Sequence, residues 1–255
     1  MQNLAKDAFC ILEKERNRKQ LPQGLPNMVE VTLALSANAA TVPFIYQYSR
    51  YLQGLNAKGE ETPFDARSAV GSEYSESKWV SERVIERTAA SAGLRSVIIR
   101  LGRVCGSPNG AQWDVKEWVP SIIQSAKTFG LPYEQGVASW VPAALATRVV
   151  ADVISGPTLN PKHGVCYAHL VHPRPVKWRD LAQCIASQLN VRLVSFSEWL
   201  GMLSGAAAEK EIPALRILPF FKILLKTSIR NEGREAFGST LIDMKNMLKI
   251  IAIIV

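Results

Sequence analysis

The chain is short of cysteine: of its 255 residues four are Cys10, Cys105, Cys166 and Cys184, widely separated and without a C-x-x-C pair. That spacing argues against a metal site and against a disulfide framework, and makes a reducing, cytoplasmic setting the expectation. Histidine is scarcer still. His169 and His172 stand three apart but have no cysteine or carboxylate at ligand spacing, so structural hydrogen bonding is expected of them rather than metal binding. The N-terminus lacks the apolar core of a signal peptide. No run is long enough to cross a bilayer: the longest apolar ending, Met247–Val255, is short and contains Lys249. Internal repeats and low-complexity tracts are missing too. The net charge is +8, yet the positive residues are dispersed, and the densest run, Lys14–Lys19, has no interleaved aromatics. A nucleic-acid surface is therefore not expected. An anionic ligand, such as a phosphorylated cofactor or a carrier protein, suits the charge equally well.

What is present has ordinary globular proportions, 47% hydrophobic and 20% charged. Residues 1–20 read as a charged helix, followed by a Pro/Gly breaker cluster at Leu21–Pro26 and a second helix over 29–40. Pro43–Ser49 reads as a strand and Arg50–Gly71 as loop. A helix rich in Glu, Arg, Lys and Ala is expected over Ser75–Ala92, closed by Gly93 as a C-cap. Ser96–Leu101 is the β-branched run of a buried parallel strand. Helix and strand alternate here in the rhythm of a doubly wound α/β sheet. After the turn at Ser107–Gly110 the texture changes. Helices are expected within Trp113–Gly130 and over Ala143–Ile154, Trp178–Leu189 and Ser197–Leu203, the last capped by Ser197. Val165–Val171 reads as a strand and Pro213–Leu225 as a packed apolar helix.

Within this frame one pair carries chemistry. Tyr74 and Lys78 are four residues apart in a helical segment, so they share a face. A nearby ammonium favours the phenolate and should draw the tyrosine below its reference value of about 10. Tyr74 is then a candidate proton donor or acceptor for a carbonyl oxygen. A solvated surface pair is the alternative, since Y-x-x-x-K is common by chance.

Tyr74-Ser-Glu-Ser-Lys-Trp-Val-Ser-Glu82, the strand ending Ile99-Arg100-Leu-Gly102-Arg-Val-Cys-Gly106, and Ser139-Trp-Val-Pro142 together resemble extended short-chain dehydrogenase/reductases. Their order, with Gly106–Gly110, Glu117-Trp-Val-Pro120 and His169–Pro175, looks most like the thioester reductase branch. That branch includes the terminal reductases of carboxylic acid reductases and NRPS-like enzymes of secondary metabolism, related to male sterility fatty acyl reductases. The resemblance covers roughly residues 27–245. It implies a Rossmann-like fold and hydride transfer from NADPH to an acyl thioester held on the phosphopantetheine arm of a carrier protein, releasing an aldehyde. It also implies roles: Tyr74 as proton donor, Lys78 as its partner and a ribose ligand of the cofactor, and Ser49 as the strand-end hydroxyl of the triad. An ordinary strand-end serine remains the alternative for Ser49, and a turn residue for Asn27. Trp79, Trp113, Trp118 and Trp140 could line an acyl channel, although packing is expected for most of them. Ala144 stands where the family usually has a capping Asp, which should weaken that helix start by about 1 kcal/mol.

The chain departs from the resemblance at the front. The glycines before Tyr74 are Gly24, Gly54, Gly59 and Gly71, without the G-x-x-G-x-x-G spacing that receives a pyrophosphate at a helix N-terminus. A partial Rossmann-like, doubly wound parallel sheet is therefore expected over residues 1–106, with an α-rich substrate-binding portion over 107–255 that can interleave with it. The chain reads as the C-terminal two-thirds of a reductase domain, with weak cofactor affinity and an uncovered sheet edge. The β-prone ending Lys249–Val255 is expected to pair or aggregate when exposed. Two alternatives stay open: a catalytically silent fragment that keeps a carrier- or acyl-binding surface, and another extended reductase such as a nucleotide-sugar epimerase or dehydratase.

Overall fold

The structure, a computed structural model, describes residues 44–49, 61–66, 69–70, 73–93, 96–106, 113–155, 164–206, 212–228, 234–238 and 241–254. The helices expected over 1–20 and 29–40, Asn27 and the turn at Ser107–Gly110 lie outside these residues. In chain order the strands are β1 (Phe44–Ser49), β2 (Ser96–Leu101), β3 (Val104–Cys105), β4 (Leu131–Tyr133) and β5 (Val137–Ala138). They continue with β6 (Val141–Pro142), β7 (Val165–Leu170), β8 (Val176–Lys177) and β9 (Leu193–Ser195). The helices are α1 (Glu73–Ala92), α2 (Trp118–Phe129), α3 (Ala143–Ser155) and α4 (Trp178–Leu189), then α5 (Phe196–Gly205), α6 (Leu218–Ser228) and α7 (Lys245–Ile254). The chain divides into two units. One is drawn from Met1–Gly102, Ala146–Leu170 and Ile242–Val255, the other from Arg103–Leu145 and Val171–Leu241.

In the first unit β1, β2 and β7 form a parallel sheet in that order. Phe44 is opposite Ser96 and Ser49 opposite Leu101, while across the other side of β2 Ser96 meets Val165 and Leu101 meets Leu170. β2 occupies the centre, and all six of its residues are buried, as suits a run built on Val97, Ile98 and Ile99. α1 precedes it. Gly93 ends this helix at φ 67°, a left-handed conformation that glycine adopts without a Cβ penalty. Three residues separate Ala92 from Ser96, so α1 runs antiparallel to β2, as a parallel crossover requires. Ser77, Ser81, Ile85 and Ala89 are buried along one stripe of α1 at helical spacing. α7 packs against β7 and buries Met247 and Ile250. The ending expected to be a β-prone segment is thus helical up to Ile254. Met244, Met247 and Ile250 recur every three residues, and packing on the sheet outweighs the β-propensity of isoleucine.

The second unit is built around aromatic packing. Its core joins Ile122, Ala126 and Phe129 of α2 to Trp178 and Ala182 of α4, Phe196 and Trp199 of α5, and Phe221 of α6. Phe237 lies at the centre of this cluster, with ring centroids 5.0 Å from Trp118, 5.3 Å from Trp178 and 5.0 Å from Phe196. Its φ of 66° is unfavourable for a bulky residue, and burial of the ring holds it there. Gly136, at φ 110°, lets the backbone approach: a Cβ there would stand 2.7 Å from both Ala236 N and Arg234 O. The contact is continued by a parallel bridge between Val137 and Glu235. α5 begins one residue earlier than expected. Its cap is Ser195, whose hydroxyl accepts the Glu198 N–H, and Ser197 lies within the helix.

Candidate active site

Tyr74 and Lys78 both lie in the first two turns of α1. An α-helix advances 1.5 Å and 100° per residue, so the two positions are about 6 Å apart along the axis and about 40° apart around it. By helix geometry their backbone positions fall on the face that carries the buried Ser77, Ser81 and Ile85. Lys78 is half-buried; the side chains of Tyr74 and Ser49 fall outside the described set. Because α1 is antiparallel to β2, its N-terminal turns lie toward the carboxyl end of the sheet. Ser49, Leu101 and Leu170 end the three strands in register at that same edge. The backbone therefore brings the three expected site residues to one end of the parallel sheet, the end at which open α/β sheets bind ligands.

Two charges join α1 to the sheet. Glu82 lies ten residues, about 15 Å, before the end of α1, and Arg100 four residues, about 13 Å, beyond the start of β2. The two meet. Arg100 Nε donates to Glu82 Oε1 and its Nη2 to Oε2, both at 2.8 Å, with neither side chain exposed to solvent. Nη1 donates to the Thr62 carbonyl at 2.8 Å and faces His169 Nε2 at 3.3 Å. The rings of Phe64 and Tyr167 lie 3.7 and 4.5 Å from the guanidinium. Since arginine only donates, His169 Nε2 accepts, and its Nδ1 carries the proton given to the Asp243 carbonyl at 2.8 Å. His169 is thus a neutral, buried structural histidine.

Around this centre the remaining polar groups anchor secondary structure. Glu61 accepts the backbone N–H of His169 at 2.7 Å, of Met247 at 3.2 Å, and of Asn246. It serves as a cap for α7 supplied from far along the chain. Burial pushes its carboxyl up, and those three N–H groups oppose the shift. Burial and a hydrogen bond to Glu86 push the Tyr167 phenol far above the ordinary range. Arg83 donates to Tyr167 Oη at 2.9 Å and pairs with Glu86 at 2.6 Å.

In the second unit Arg103 pairs with Glu117 at 2.9 Å and sits 4.8 Å from the Trp118 ring. Ser139 donates its hydroxyl to Glu235. Burial pushes the Glu235 carboxyl up to about 7, against the opposing pull of Arg103 and of Ser139. Trp113 and Trp118 pack edge-on to Trp140, at 5.4 and 6.4 Å. In the first unit the Trp79 indole donates to the Phe64 carbonyl at 2.9 Å.

The roles of Glu82, Arg100, Glu61 and Glu235 escape sequence reasoning. Glu82 and Arg100 lie inside the motif segments, and a signal for them existed: each places a charge where the pattern demands burial. Glu61 and Glu235 carry no local signal, because their partners are remote in sequence. Among the described residues no group of three or more His, Cys, Asp or Glu could hold a metal ion. None of the described helices is long and apolar enough to cross a membrane.

Residues 53–150 match the male sterility protein family. The chain is 34% identical to the adenylate-forming reductase Nps11 of Serpula lacrymans over 80% of its own length and 20% of that protein's. It is 32% identical to the adenylate-forming reductase Nps10 of Heterobasidion annosum, over 74% of this chain and 18% of the relative. It spans about a fifth of the length of these curated relatives. Among solved structures, the terminal R domain of the myxalamid PKS-NRPS pathway superposes with a TM-score of 0.60 at 22% identity, covering 82% of this chain and 52% of that one. The fold is therefore the Rossmann-like α/β fold shared with that R domain.

Proposed function

This chain belongs to the thioester reductase branch of the extended short-chain reductases, and from that membership we propose that it serves the NADPH-dependent release of a carrier-bound acyl thioester as an aldehyde. The observation that carries the reading is the gathering of Tyr74, Lys78 and Ser49 at the carboxyl edge of the parallel sheet. NADPH, when bound, supplies the hydride. The residues present fit its nicotinamide and ribose end: Lys78 is half-buried one helical turn before Glu82, where an ammonium can hold ribose hydroxyls. Tyr74 gives its proton to the carbonyl oxygen as negative charge develops there, and the Lys78 ammonium favours the phenolate left behind. Ser49, at the end of β1, donates a hydrogen bond to the same oxygen and orients the carbonyl. The acyl group arrives on the phosphopantetheine thiol of a carrier protein. Loss of that thiol from the reduced adduct leaves the aldehyde.

The test is direct. The full chain is mixed with an acyl-carrier thioester and NADPH, and loss of NADPH absorbance and appearance of aldehyde are followed. Tyr74→Phe should lower the rate by about 10²–10⁴-fold, the usual worth of a positioned proton donor. Turnover that survives this substitution undamaged would rule out the mechanism.

A further inference from the structure

Glu82 and Arg100 are charged, wholly buried and unused by the chemistry above. We propose that they are positioning residues: their ion pair fixes the rotation and depth of α1 on β2, and so holds Lys78 and Tyr74 at the carboxyl edge of the sheet. The inference rests on the function proposed for Tyr74 and Lys78 and adds to it a cause for their placement.

The geometry is that of a clamp. Two parallel hydrogen bonds, both 2.8 Å, join the planar fork of Arg100 to both oxygens of Glu82. A bidentate pair fixes orientation as well as distance, which apolar packing does not. The fork is itself immobilised by the Thr62 carbonyl at 2.8 Å, His169 Nε2 at 3.3 Å and the nearby rings of Phe64 and Tyr167. His169 is held in turn through Asp243, and the strand that carries it through Glu61. Lys78 stands one turn before Glu82 and Tyr74 one turn before that, successive steps of about 6 Å and 40° on the same helix. A helix is stiff over this distance, so a slip at Glu82 is passed to both. Displacement of a reacting group by about 1 Å can cost on the order of 100-fold in rate. Stability alone does not require the pair, since well-packed apolar residues often replace buried ions without loss.

The experiment separates position from stability. The double substitution Glu82→Leu with Arg100→Met removes both charges, and Arg100→Lys keeps the charge but not the fork. Each is made in the full chain and checked for folding by circular dichroism. Two readouts are compared with the unmodified protein: the pH profile of thioester reduction, and the ionisation of the Tyr74 phenol by ultraviolet difference against Tyr74→Phe, which needs neither substrate nor cofactor. The expected result is a folded protein with kcat lowered about 10- to 100-fold, KM for the carrier thioester little changed, and the Tyr74 phenol titrating at higher pH. A folded variant in which Tyr74 titrates as in the unmodified protein overturns the proposal, whichever substitution it carries. If the double variant does not fold, Arg100→Lys decides in the same way. If the unmodified protein reduces no thioester, the proposed function fails, and the phenol titration still decides whether the pair positions the helix.

Discussion

Glu235 is a carboxyl that the second unit holds on its own terms. It takes the Ser139 hydroxyl, its backbone bridges to Val137, and burial lifts its pKa from 4.5 to about 7 while Arg103 pulls the other way. A folded-state pKa raised above the unfolded value means that the folded protein binds the proton more tightly. The contribution to stability is complete below about pH 4.5 and is lost as pH rises through about 7. The second unit should therefore be more stable at pH 5 than at pH 8, by no more than about 3 kcal/mol from this group. Glu235→Gln should flatten that difference and be neutral or stabilising at pH 8. Denaturant unfolding of both proteins at the two pH values is the check, and equal slopes with pH would refute the assignment. The buried pair of the first unit behaves differently. There both charges are matched, so removing Glu82 or Arg100 singly should cost about 3–5 kcal/mol, because the survivor is stranded.

Among the elements, those legible in the sequence are the ones whose local pattern and tertiary setting agree. Ser96–Leu101 and Trp178–Leu189 appear with the expected limits, and Gly93 closes α1 in the left-handed conformation. Where the two levels disagree, tertiary contacts decide. α7 was masked by its isoleucines, and the cap that Glu61 gives to Asn246 and Met247 comes from a residue about 185 positions away. No local window contains that information. The start of α5 was legible but misassigned: Ser195-Phe-Ser-Glu198 has the S-x-x-E spacing of a capping box, and Ser197 within it is a decoy. Ser195→Ala should lower the stability of the second unit by about 1 kcal/mol, whereas Ser197→Ala should change it by a few tenths at most. Urea midpoints read by tryptophan fluorescence distinguish the two, Trp199 being in the same helix. Equal losses would return the cap to Ser197.

At the scale of the molecule, the two units are not two halves of the sequence. The first collects three separate stretches and the second two, with exchanges at Gly102, Leu145, Leu170 and Leu241. The Tyr/Lys pair was visible as a motif because it is local, but its place at the sheet edge depends on β7, some ninety residues further on, and on partners of Arg100 from three segments. Such assembly makes one consequence measurable. Deleting residues 242–255 removes α7 from β7, and with it the burial of Met247 and Ile250, worth roughly 3–6 kcal/mol as an upper bound. That is comparable with the whole stability of a typical domain, about 5–15 kcal/mol, so the first unit should be crippled. Tryptophan fluorescence reports almost wholly on the second unit, which holds Trp113, Trp118, Trp140, Trp178 and Trp199, with Trp79 alone in the first. In the shortened chain the far-ultraviolet dichroism should lose amplitude and melt earlier, while the fluorescence transition moves much less. A common shift of both signals would mean that the two units unfold as one, and the division would have no energetic content.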